Sequence, residues 1–309
     1  MLQTPIDVLH QFPIRKTKKQ KQAFREAVLD YACSLGYEGK VERRSLSCQN
    51  VLFGDPENAA YLVTAHYDTC AAMPFPNFIM PCNAVVFIMH QAGLWLGIVL
   101  ISAVLGALAG LVFGEGFVSL ISCITLLLII GLMLFGPANK SNANDNTSGV
   151  VTLLEMMRTM PENQRHKVCF VLFDLEEAGL IGSASYRKVH KSASDRQMVL
   201  NLDCVGDGDH LVMFPTKALK NNRKKLTALY RACGYFGKKS LTVHEKGFSV
   251  YPSDQMVFPY GVGICALQKC KLGLYVGKIH TSKDTVLEET NVNILRAALT
   301  SYICCDAAQ

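Results

Sequence analysis

Between Asp68 and Lys140 the chain carries a single charged residue, Glu115. Two apolar runs fill most of that stretch. Ala84–Phe113 and Phe117–Gly136 are separated by Gly114-Glu115-Gly116, and Pro137 stops the second. Each run reaches the ~20 residues a helix needs to cross a bilayer. Two such runs with a tiny polar break predict a helical hairpin whose ends lie on one side. The alternative is a buried hairpin in a soluble core, where helices are usually shorter and bear some charge. Half of the 309 residues are hydrophobic, an excess that also suggests a membrane segment. Gly93-x-x-x-Gly97 and Gly106-x-x-x-Gly110 are spacings that let helices approach closely. Met73–Pro81 is apolar and proline-broken; it suits either the membrane interface or a loop packed on the protein.

The flanks read as a soluble α/β protein. An amphipathic helix is expected over about 17–35, followed by strands at Lys40–Arg43, Asn50–Phe53 and Tyr61–Ala65. After Lys140, helix is expected at Ser148–Met160, strand at Lys167–Asp174 and helix from near Gly179. Strands follow at Met198–Asp203 and His210–Phe214, then helix at Lys217–Ala232, strand at Gly261–Leu267 and a closing helix at Asn291–Ala298. Alternating strands and helices imply a largely parallel or mixed sheet covered on both faces. The chain thus divides into 1–83, the first part of the α/β domain; 84–136, a transmembrane hairpin insertion; and 137–309, the remainder.

The net charge of +6 permits nucleic acid, anionic lipid or no specific partner. The strongest basic run, Arg15, Lys16, Lys18, Lys19, Lys21 and Arg25, lacks the interleaved aromatics of a single-strand binding platform. That run and Arg223-Lys224-Lys225 read as solvated helix faces. No nucleic-acid reader motif is present. None of the 12 cysteines forms a CxxC pair, and scattered thiols suit a reducing compartment. The first residues contain no apolar stretch of the secretory-signal kind, so no cleavable signal is expected.

Five segments place acidic or imidazole groups together. They are His66-Tyr-Asp68, Asn144-Asp145-Asn-Thr-Ser-Gly, Asp174-Leu-Glu176-Glu177, Asn201-Leu-Asp203 and His280-Thr-Ser-Lys-Asp. Three of them stand at the ends of predicted strands, whose carboxyl ends are where α/β proteins build sites. Singly, each has an ordinary reading: a surface turn, an N-cap, or a favourable charge at a helix start. Together they point to metal chemistry. Nitrogen and carboxylate donors without thiolate suit zinc or another borderline divalent ion. Two histidines and three carboxylates suffice for two ions about 3.5–4 Å apart if one carboxylate bridges them.

These motifs, with Glu176-Glu177-x-Gly-Leu-x-Gly-Ser, resemble the series of the zinc exopeptidases. That family includes the bacterial di-zinc leucyl aminopeptidases, glutamate carboxypeptidase and the glutaminyl cyclases. The resemblance covers about 50–80 and 138–300. It implies a central mixed β-sheet sandwiched by helices, here interrupted by the hairpin, and two Zn²⁺ ions. Carried over by position, Asp145 would bridge the ions, His66 and Asp203 would bind one, and Glu177 and His280 the other. Glu176 would be the general base and Asp68 would hold His66 in its tautomer. The implied activity is aminopeptidase action on peptides. Glutaminyl cyclisation, carboxypeptidase action on acidic peptides, and an inactive membrane-anchored binding protein are the rival readings. The departure from the family is the hairpin, which stands where a short loop normally joins the first metal histidine to the bridging aspartate. The expected setting is a cell membrane, with the lipid bilayer contacted through 84–136 and the catalytic domain in the cytoplasm.

Overall fold

The computed structural model describes residues 2–43, 48–73, 78–245, 247 and 249–305. Part of the Met73–Pro81 segment, 74–77, lies outside them. The chain runs α1 (Asp7–Gln11), α2 (Lys18–Ser34), β1 (Gly39–Arg43), β2 (Gln49–Phe53), β3 (Tyr61–His66), β4 (Phe78–Ile79), α3 (Ala84–Phe113) and α4 (Gly116–Phe135). It continues with α5 (Gly149–Thr159), β5 (Val168–Phe173), α6 (Ile181–Val189), α7 (Lys191–Ser194), β6 (Met198–Leu202) and β7 (His210–Pro215). Then come α8 (Lys217–Asn221), α9 (Arg223–Leu229), β8 (Gly234–Phe236), β9 (Lys239–Val243), β10 (Gly261–Cys270), β11 (Gly273–Gly277) and α10 (Glu289–Cys305).

The strands form one mixed sheet in the order β1-β2-β5-β3-β6-β10-β7-β9-β8, with β11 joining β10 to β4. Its centre, β5-β3-β6-β10, is parallel, so the carboxyl ends of these strands lie together. Alternation along β5 explains the burial on both faces. Val168, Phe170 and Leu172 pack into the layer that holds Leu153 of α5 and Leu295 of α10, whereas Cys169, Val171 and Phe173 face Tyr186 of α6. The expected fold class is the observed one.

Three local readings change. The helix expected over Lys217–Ala232 is broken at Asn222, whose backbone leaves the helical region and whose side chain caps α9 by accepting from Lys225 N. The closing helix extends well past Ala298, to Cys305. Finally, the basic run is not simply a solvated face. Arg15, Lys21 and Arg25 are buried. The Arg15 guanidinium donates to the carbonyls of Tyr67 and Phe12 and to Thr147 Oγ1. Lys21 Nζ pairs with buried Asp174 at 2.7 Å, and Arg25 donates to Tyr67 Oη at 2.8 Å. A cation is buried where it meets oxygen acceptors brought by distant segments, and a local reading of the sequence does not see those.

The two apolar runs form α3 and α4, packed against each other and long and apolar enough to cross a membrane. Of the two glycine spacings, one lies at the helix contact. A Cβ on Gly106 would stand 2.0 Å from Ser122 Oγ, and one on Gly110 2.4 Å from Val118 Cγ2, whereas Gly93 and Gly97 face open space. Gly106→Val should therefore spread the hairpin and lower the thermal midpoint in detergent, and Gly93→Val should leave it unchanged. Removing one partner of a buried ion pair costs about 3–5 kcal/mol. Lys21→Met should show a loss of that size in chemical denaturation, because Asp174 would stay buried without its cation.

Candidate active site

The parallel centre of the sheet delivers the acidic and imidazole groups to one place. His66 is the last residue of β3, Asp203 follows β6, and Glu176 and Glu177 follow β5. The loop before α5 brings Asp145, and the segment after β11 brings His280. Together they line a cavity of about 190 Å³ whose wall also includes Ile79, Tyr251 and Ile279. A larger cavity, about 880 Å³, opens at the opposite end of β3 and β6, beside Tyr61 and Met198, and contains none of these acids.

Asp145 sits between the two histidines. Its Oδ1 is 3.2 Å from His66 Nε2 and its Oδ2 is 3.0 Å from His280 Nε2. Asp203 Oδ1 approaches His66 Nε2 at 3.7 Å, and Glu177 Oε2 approaches His280 Nε2 at 3.3 Å. Ligands about 2.0–2.2 Å from one tetrahedral zinc ion stand roughly 3.3–3.6 Å from each other. The observed spacings are close to that range. Among the described residues, Glu177 Oε1 and Asp203 Oδ1 are buried with no hydrogen-bond partner, as metal-ligating oxygens reserved for a cation would be. The chemistry of the set, two imidazoles and carboxylates, fits zinc. Within reach of Glu177 and His280 lies one further donor, the buried thiol of Cys70; as one scattered cysteine among many it carried no signal in the sequence.

Backbone groups hold this arrangement. Asp284 accepts from the amides of Asn144 (2.7 Å) and Asp145 (3.0 Å). Asn144 Oδ1 accepts from Gly206 N and Asp207 N, and Asn146 ties the same loop to Leu202 O and Cys204 N beside Asp203. The Asp68 carboxylate accepts from the amides of both Glu176 (3.1 Å) and Glu177 (3.3 Å). It is the Asp68 carbonyl, at 3.2 Å, that stands nearest His66 Nδ1, with the carboxylate 3.6 Å away. Leu175, Cys204 and His280 have positive φ of 58°, 53° and 60°. Each such residue costs about 1–2 kcal/mol, and strain of this kind gathers at functional sites.

The electrostatics follow from crowding carboxylates out of water. Burial pushes Glu176 well above the usual carboxylate range and Glu177 up to about 8. Burial alone would lower His280, but Glu177 and Asp145 outweigh it and raise it to about 9. Asp145 is buried too, yet the two histidines hold it below its ordinary value. Asp254, absent from the sequence-based candidates, is buried beside this cluster. Burial and the charges of Asp203 and Asp68 push it up to about 7, against the pull of His66. Its only sequence trace is a Ser-Asp pair ahead of β10, which reads as an ordinary turn.

A comparison with curated proteins finds no match. Solved structures with the same fold include Porphyromonas gingivalis glutaminyl cyclase, with a TM-score of 0.61 and 14% identity over 96% of this chain and 94% of that one. The Legionella pneumophila LapA aminopeptidase aligns with a TM-score of 0.60 and 13% identity over 99% and 69%. Fimbriiglobus ruber glutaminyl cyclase aligns with a TM-score of 0.57 and 16% identity over 98% and 97%. Peptidase family M28 matches residues 132–301, a segment that includes four of the five expected metal ligands and more than half of the chain, and the protein belongs to that family.

Proposed function

We propose that this M28 peptidase is a membrane-anchored, di-zinc aminopeptidase that removes N-terminal residues from peptides. The observation that carries the reading is Asp145, one carboxylate oxygen facing each histidine. His66 and Asp203 would hold one ion, Glu177 and His280 the other, and Asp145 both. Bound there, the ions would supply Lewis acidity for the scissile carbonyl and for water. Glu176, whose amide is anchored on Asp68, takes the proton of the attacking water and passes it to the leaving amine. Asp68 holds Glu176 and Glu177 side by side while leaving their carboxylates free for these separate tasks. The aminopeptidase branch is supported by Gly179-Leu-Ile-Gly-Ser183 and by the LapA likeness. Glutaminyl cyclases share the fold equally well, so peptides beginning with glutamine form the second arm of the assay.

Chelation should abolish turnover of aminoacyl-amides, and zinc or cobalt should restore it. Glu176→Gln should lower turnover by about 10²–10⁴-fold with metal content unchanged, whereas Glu177→Gln should lose metal. Release of metal by Glu176→Gln alone would reverse these two roles. Ammonia released from N-terminal glutamine without peptide cleavage would assign the site to cyclisation.

The hairpin returns both ends to this one site, so they share a side of the membrane. Lys140 follows α4 closely, and Lys16 Nζ caps its last turn by donating to Leu134 O at 2.9 Å. The connecting Gly114-Glu115-Gly116 has no cation. Positive charge beside membrane helices stays in the cytoplasm, and all twelve cysteines are free thiols. The proposed orientation puts the catalytic domain in the cytoplasm. In intact cells a membrane-impermeant thiol reagent should label Glu115→Cys above the wild-type background and spare Lys224→Cys. The opposite pattern would place the site outside the cell.

A further inference from the structure

The roots of the hairpin are also the walls of the catalytic cavity. Ile79, which lines the cavity, belongs to β4, and four residues separate it from Ala84, the first residue of α3. β4 pairs with β11, which leads directly into His280. The Phe78 ring packs on Tyr275 at 5.1 Å and on His90 of α3 at 5.7 Å. Pro81 O accepts from Val250 N at 3.0 Å, beside Tyr251, which lines the cavity. The exit of the hairpin is tied in the same way. Pro137 O accepts from Ala72 N, Met73 N donates to His280 O, and Asn139 Nδ2 donates to Thr281 O at 3.1 Å. The cavity therefore has no freedom to sit elsewhere than at the base of the two helices.

Helix lengths place that base relative to lipid. α4 has 20 residues and α3 has 30. At 1.5 Å per residue α4 spans ~30 Å, the thickness of the hydrocarbon core, and α3 exceeds it by ~15 Å. The two meet at Gly114-Glu115-Gly116, so the surplus of α3 lies at the base. There it carries the adjacent polar residues His90 and Gln91. Beside it the β10–β11 turn presents Leu272, 59% exposed, whose carbonyl accepts from Asn83 Nδ2 at the start of α3. A leucine and the neighbouring exposed Lys271 at one turn tip suit the headgroup layer, where apolar and cationic side chains are both satisfied.

We infer that the site takes its substrate from the bilayer interface: a membrane-associated peptide whose free N-terminus ends only a few residues from the lipid surface. This rests on the aminopeptidase and membrane readings above. A gap of ~15 Å is bridged by about five extended residues. Confining enzyme and substrate to one surface raises their effective concentration, and a site at the surface adds that short tethers suffice.

The test uses full-length protein in vesicles, catalytic domain outward, with three peptides sharing one N-terminal sequence. Two carry a C-terminal lipid anchor, with spacers of about 5 and about 15 residues, and one carries no anchor; Glu176→Gln protein is the blank. The short anchored peptide should be cleaved at least about tenfold faster than the unanchored one at equal bulk concentration, and no slower than the long one. Cleavage of the long anchored peptide with the short one spared would put the site well off the membrane and overturn the inference. Equal rates with and without the anchor would overturn it as well, leaving the aminopeptidase reading intact. Cleavage of none of the three would overturn the aminopeptidase reading, and this inference with it.

Discussion

Asp145 must be held, buried, between two imidazoles, and much of the fold serves that requirement. A carboxylate there is costly to bury unless positive charge and hydrogen-bond donors meet it. Its histidines come from β3 and from the segment after β11, and its backbone amide rests on Asp284. The parallel strand order β5-β3-β6 puts three carboxyl ends side by side, and the left-handed residues Leu175, Cys204 and His280 turn the chain sharply enough to aim side chains inward. Four carboxylates crowd into one small buried cavity, a like-charge repulsion away from water that bound cations would relieve.

Behind the site lies a layer of polar supports that work through backbone atoms. Asp68 spends its carboxylate on the amides of Glu176 and Glu177 rather than on the histidine ring. Asn144 and Asn146 bind the Asp145 loop to the segment after β6. Arg15 lies deeper, fully buried, donating to Tyr67 O and Thr147 Oγ1 and so joining the end of β3 to the loop of Asp145. Burial lowers its guanidinium to about 10, and the nearby charges of Asp68 and Asp145 act in the opposite direction. The N-terminal segment is thus part of the catalytic domain's framework and not an appendage to it.

The hairpin interrupts the chain between the first histidine and Asp145 without separating them, because its ends are bonded to the same loops that line the cavity. An insertion tolerated at such a place must enter and leave at nearly one point. The bridge between Ala71 and Ala138 supplies that closure. The glycines at 106 and 110 then bring the two helices close together.

What the sequence determined by itself was whatever is written in local pattern. Apolar runs of fixed length marked α3 and α4 to within a residue or two, and strand-like runs marked β5 and β6, since periodicity and breakers act over a few residues. The five motif segments named His66, Asp145, Glu176, Glu177, Asp203 and His280 because their residue types and order are themselves the signal. Only the tertiary structure decided which oxygen of Asp145 faces which histidine, that Arg15, Lys21 and Arg25 are buried, and that Cys70 and Asp254 stand beside the cluster. It also decided that Asn222 breaks a helix and that the hairpin's roots are the cavity's walls. Apart from the Asn222 cap, whose partner Lys225 is three residues on, each of these depends on partners tens to more than a hundred residues away, such as Lys21 with Asp174 or Met73 with His280. Burial and pairing are properties of the assembled surfaces, and no window along the chain contains both members of the pair.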